Sequence, residues 1–77
     1  MEELKKETQK WLERIKQERK KINTDKSKES FINNIDAYIS DSEHFLERND
    51  LIRAFEAVIW AWAYLEIGKD EGHLNSL

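Results

Sequence analysis

Between Met1 and Ile67 the chain contains no glycine and no proline; its two glycines are Gly68 and Gly72, and proline is absent throughout. These are the residues that interrupt helices. Proline removes an amide donor and clashes with the preceding turn, and glycine loses the most conformational freedom on folding. A chain with so few breakers is expected to be mostly helix, interrupted only where polar residues can turn it. At 77 residues it holds one domain, in the size range where burial is only just sufficient and small folds often need extra help. There are no cysteines, so neither a disulfide nor a thiolate metal site supplies that help. The composition suits a reducing compartment, and we expect the cytoplasm.

Residues 57–65 read AVIWAWAYL, nine without a charge in a chain that is 38% charged. As a helix this run rises only ~14 Å, against about 30 Å of bilayer hydrocarbon, so a membrane span is excluded. A strand is disfavoured by the alanines at 54, 57, 61 and 63 and by Arg53 and Glu56, which break any alternation. The charged N-terminus, MEELKKETQKW, has no apolar core of the kind a secretory signal needs.

On a helical wheel, Leu51, Phe55, Val58, Trp62 and Leu65 form one stripe, the seam of a packed helix over about 51–67. Ala54 and Ala61 flank it and would let a neighbouring backbone come close. Trp60, Tyr64 and Ala57 occupy a second side, Ile52 and Ile59 a third. A helix apolar nearly all round is buried on several sides, by its own chain or by another copy. Asp50 is placed to cap its start and Gly68 to end it in the left-handed conformation. Asn49 tolerates the same conformation, so Asn49-Asp50 reads as a tight turn joining two antiparallel helices.

The helix before that turn spans about 28–48, capped by Ser27 or Ser30, with Asn23-Thr24-Asp25-Lys26 as the linker ahead of it. Phe31, Ile35, Tyr38, Phe45 and Leu46 form its apolar stripe with Ser42 in step, and Ile32 and Ile39 widen it. The first helix, about 3–22, has a narrow stripe of Leu4, Trp11, Leu12, Ile15 and Ile22 with Thr8 among them. Glu-to-Lys pairs spaced by three recur along it at 2/5, 3/6, 7/10, 13/16 and 18/21, each worth a few tenths of a kcal/mol. It is expected to be the least stable element. The tail, 69–77, is expected to fray. The architecture is therefore all-α, a three-helix bundle made of a long N-terminal helix and an antiparallel helical hairpin.

Charge is divided along the chain. Residues 1–28 carry ten Lys or Arg against six acids, net +4, and residues 29–77 carry three against ten, net −7. A nucleic-acid reading would place the basic surface of Lys16, Lys20 and Lys21, with Lys5, Lys6 and Lys10, on phosphates. Acids lie among those lysines and no glycine-rich loop or exposed aromatic pair accompanies them. Complementarity within one molecule or between two copies is the simpler reading.

No catalytic residues can be proposed. The histidines are His44 and His73, with no Ser-His-Asp or Cys-His grouping and no Arg-to-His spacing of the helical nuclease type. Asp41 and His44 could share a metal with Glu66, but the wheel sets His44 on the polar side, and Asp41 at the edge of the apolar stripe reads with Tyr38 as a buried polar pair. No cofactor or metal is expected, and the chain reads as a non-enzyme.

From Tyr38 to Gly68 the sequence resembles the small archaeal family known as domain of unknown function 357. Tyr38, Asp41, Phe45, Asp50, Ala54, Ala57, Ala61, Leu65 and Gly68 carry the resemblance. The family usually has glycine where this chain has Asn49, tyrosine near Trp60, a small residue at Ala63 and aspartate at Glu66. The resemblance implies a compact helical protein from an archaeon and brings no catalytic residue. One core cannot use every apolar side of the third helix, so Ile52, Ile59, Trp60, Tyr64 and Ile67 are the candidate interface. The function expected is protein–protein interaction or self-association, with a dimer or an unknown protein partner. A nucleic-acid-associated role for the basic helix is the alternative.

Overall fold

The structure is a computed structural model and describes residues 2–77. It contains three helices, α1 (Glu2–Lys20), α2 (Glu29–Glu47) and α3 (Leu51–Asp70), with one turn of 3₁₀ helix at Thr24–Lys26 between the first two. They pack into an all-α body of 38 × 17 × 17 Å. α1 begins with Glu2 and Glu3 and ends with Arg19 and Lys20, each charge at the end of the helix where the backbone dipole favours it. It stops two residues short of the expected Ile22, whose backbone turns away to pair with Ser76.

The turn between α2 and α3 forms as the residue types require. Asn49 is left-handed, with φ 59°, and the Asp50 amide donates back to the Phe45 carbonyl at 2.9 Å. The Asp50 carboxylate accepts from the Arg53 amide at 3.4 Å, capping α3. Neither serine caps α2. The cap residue is Lys28, which makes no side-chain cap bond; its amide donates to the His73 carbonyl at 2.7 Å, and the Ser27 hydroxyl accepts from the Asn75 amide at 2.9 Å. The serine is occupied by the C-terminal segment.

That segment is a strap, not a frayed tail. Beyond α3 the chain reverses through Gly72, at φ 76°, and lies along the α1–α2 connection. The Asn23 amide donates to the Asn75 carbonyl at 2.7 Å and the Leu77 amide to the Lys21 carbonyl at 2.8 Å. Leu74 is buried in the core. The helix end expected at Gly68 is displaced to Asp70, because Gly68 serves packing instead. A Cβ there would stand 2.5 Å from Leu74 Cδ1 and 3.0 Å from Phe31 Cδ2. The missing side chain is the slot that Leu74 fills.

Leu12, Ile15, Ile32, Ile35, Ile39, Val58, Ala61, Leu65, Ile22 and Leu74 make one core. Two stripes are rotated from the expected positions. On α2 the deepest residues are Ile32, Ile35, Ile39 and Ser42, while Phe31 and Tyr38 lie at its margin. On α3 the alanines 54, 57 and 61 are buried with Val58 and Leu65, and Phe55 and Trp62 are only partly covered. Close approach explains the exchange. With alanine between them the two backbones draw near enough for the fully buried Ser42 hydroxyl to donate to the Ala54 carbonyl at 2.8 Å, which satisfies a polar group that would otherwise be costly to bury.

α1 is held on the hairpin by more than local pairs. Trp62 Nε1 donates to the Trp11 carbonyl at 3.1 Å and the two indoles meet edge to face at 5.7 Å. Arg19 reaches Asp36 with two nitrogens, at 2.7 and 3.1 Å. Lys16 pairs with Glu43 of α2 in place of the expected Glu13. Glu18 takes both Lys21 at 2.8 Å and Lys69 of α3 at 3.2 Å. Those two ammonium groups, Lys21 first, hold its carboxyl below the ordinary glutamate range. A lowered acid adds stability above its unfolded pKa and loses it as pH falls through the folded one. Melting temperature should therefore fall from about pH 4.5 downward, and Glu18→Gln should flatten that part of the curve slightly, since the pair is near the surface.

Candidate interaction face

α3 must present one side to α1 and α2, and the sequence supplies apolar residues beyond that side. Ile52 is 60% exposed, Ile59 45%, Trp60 56% and Ile67 50%. The helix turns 100° per residue, so Ile52, Ile59, Ala63, Ile67 and Trp60 fall within one arc on the outer side, with Glu56 among them. Tyr64, the fifth expected interface residue, is half-buried at the edge of this arc.

Aromatic rings fix the margin toward α2. Tyr38 stacks on Trp60 at 6.2 Å and on Tyr64 at 5.7 Å, and Phe31 meets Tyr64 edge-on at 5.7 Å and His73 at 4.9 Å. Stacking of this kind restrains side chains that would otherwise sample several rotamers. A hollow of about 210 Å³ lies there, lined by Phe31, Trp60, Ala63, Tyr64 and Ile67. Toward α1 lies a second, of about 340 Å³, lined by Trp11, Ile59, Trp62, Ala63 and Glu66. Lys10 and Arg14 stand over the Trp11 ring at 5.1 and 5.0 Å, and Arg53 over Phe45 at 5.9 Å. Ala63 is the floor between the hollows, with bulky Ile59 and Trp60 one turn before it. The apolar pattern identified the large residues; the relief depends on where α1 and α2 stop, which periodicity does not reveal.

The other expected sites are not assembled. Asp41 is exposed and Tyr38 half-buried, so they are not a buried polar pair; the buried polar residue of α2 is Ser42, which lies in step with the apolar stripe while Asp41 falls just outside it. His44 is exposed, Glu66 lines the hollow on the α1 side, and among the described residues no three His, Cys, Asp or Glu gather as for a metal ion. Of the basic surface, Lys10 pairs with Glu7, Lys16 with Glu43 and Lys21 with Glu18, while Lys5, Lys6 and Lys20 make no ion pair among the described residues. Among the described residues no helix is long and apolar enough to cross a membrane.

Residues 5–74 match the family model described as protein of unknown function, DUF357. The chain belongs to this family. Its fold matches the crystal structure of protein AF1782 from Archaeoglobus fulgidus, also a DUF357 protein, with a TM-score of 0.93 and 56% identity over 99% of this chain and 96% of that one. No curated protein matches it. The match extends through α1 and the strap, well beyond the 38–68 segment that carries the resemblance in sequence. Neither comparison names an activity.

Proposed function

We propose that this protein is a non-enzymatic interaction module that self-associates through the outer face of α3. The observation that carries this reading is the exposure of Ile52, Ile59, Trp60 and Ile67 on one side of one helix. Large apolar residues gathered on a small monomer mark a surface that is covered in use. The restraint that Tyr38 places on Trp60 and on Tyr64 at its margin lowers the entropy lost when that surface is covered. The absence of cysteine suits a reducing archaeal cytoplasm, where we place it.

Light scattering coupled to size exclusion, over a dilution series, tests the reading. The wild type is expected to run as a dimer, and Trp60→Glu as a folded monomer, because a carboxylate would have to be buried without a partner. Trp60 is more than half exposed, so the substitution should leave helicity unchanged by circular dichroism. A wild type that is monomeric at every concentration would overturn the reading. The basic first helix, whose binding to nucleic acid would be salt-dependent, is the weaker reading, since three of the six lysines it would use, Lys10, Lys16 and Lys21, are already paired with acids.

A further inference from the structure

The relief of the α3 face specifies how a second copy would sit, an inference that rests on the self-association just proposed. Ile59 and Trp60 project side by side from one turn, and Ala63, one turn later, lies between the hollows of about 340 and 210 Å³. The face thus carries both a bulky pair and a low place flanked by space. The two features are about 5 Å apart along the axis. A two-fold axis that makes residue i meet j also makes j meet i, so one copy's bulky pair can enter the other's hollows and receive the same in return.

We infer that the occupant of this face is α3 of a second copy, antiparallel, with the two-fold axis at the level of Ala61. Ile59 of one protomer then stands at the level of Ala63 of the other, and Trp60 lies near its own counterpart. α3 runs from Leu51 to Asp70, so this level is also the middle of the helix, and the two copies overlap along its full length of about 30 Å. The parallel arrangement is inferior on the same observations. It sets Ile59 at the level of Ile59 and Ala63 at the level of Ala63, so the hollows beside Ala63 receive no bulky side chain. Empty space at a contact forfeits the dispersion and burial that hold it together.

Size exchange and cross-linking test the arrangement. Ala63→Ile should raise the dimer dissociation constant about tenfold or more by filling the low place, and Ile59→Ala should raise it about tenfold by leaving the hollow empty. The double variant, Ile59→Ala with Ala63→Ile, should return to within about threefold of wild type, because each contact is restored with its members exchanged. The chain has no native cysteine, so a mixture of Ile59→Cys and Ala63→Cys proteins, oxidised at dimer-forming concentration, should give the 59–63 mixed disulfide. Predominant 63–63 and 59–59 disulfides, or a double variant as weak as the two losses combined, would overturn the antiparallel arrangement while self-association stood. A wild-type monomer would overturn both.

Discussion

Ile35→Ala should remove about 2–5 kcal/mol of stability, a large share of what a domain this small possesses. Ile35 is 0% exposed and lies at the centre of the α2 stripe, where Ile32 and Ile39 bracket it and α3 closes over it. Truncation forfeits the transfer energy of the lost carbons and leaves a void that the surroundings fill only in part. The alanines of α3 have no flexible side chains to swing into the gap, so little relief is expected. Denaturant unfolding followed by circular dichroism will measure the loss as a lower midpoint at unchanged slope. Ile52→Ala, at a position 60% exposed, serves as the control for the monomer and should stay within about 0.5 kcal/mol. An Ile35→Ala loss below about 1 kcal/mol would mean that the hairpin core is far looser than its burial implies.

Gly68→Leu should be nearly as damaging, and at a distance. The position is helical, so a residue other than glycine should favour the helix by roughly 0.5–1 kcal/mol. Space reverses the sign. A Cβ would lie 2.5 Å from Leu74 Cδ1 and 2.7 Å from its Cγ, and a leucine would occupy the whole slot. Leu74 must leave, forfeiting about 1.5–3 kcal/mol of burial. The strap goes with it. Amide hydrogen exchange separates this from a general loosening: protection at Asn23, Lys28 and Leu77, whose amides form the bonds between the strap and the segment joining α1 to α2, should fall well before that of Val58 or Leu65. Uniform loss across the chain would show that the strap is not an independent unit.

The helices and their joints were legible because each depends on neighbours in sequence. Asn49 and Asp50 can be read as a turn from residue type alone, and the structure places both as their chemistry requires. The three-helix architecture follows from the same local rules. Legibility ended where one element acts on another. Ser27 has the properties of a cap, but the strap claims its hydroxyl; Gly68 has the properties of a helix terminator, but Leu74 needs its missing side chain. Ala54 and Ala61, read as flanks that would admit a neighbouring backbone, and Ala57, read onto a second side with Trp60 and Tyr64, are all core, because a small residue gains its value from the backbone it lets in. On α2 Ser42 is buried in step with the stripe as its spacing implies, while Ile32 and Ile39 lie deeper than Phe31 and Tyr38 and Asp41 at the edge is left exposed. The exposed residues of α3 were found because four large apolar side chains exceed what two neighbouring helices can cover, whereas the floor at Ala63 has no signal in an alanine-rich run.

The turn at Asn49-Asp50 has a bearing on how the molecule assembles. α2 and α3 are joined with almost no intervening chain, so bringing them together closes a very short loop and costs little chain entropy. Val58, Leu65 and the alanines can find Ile35 and Ile39 within a local search, which is the circumstance that makes helical proteins fold fast. α1 docks mainly through contacts distant in sequence, Trp11 with Trp62 and Glu18 with Lys69. Order is thereby built into the topology: a hairpin that can nucleate alone, followed by a helix whose arrival awaits the surface the hairpin creates.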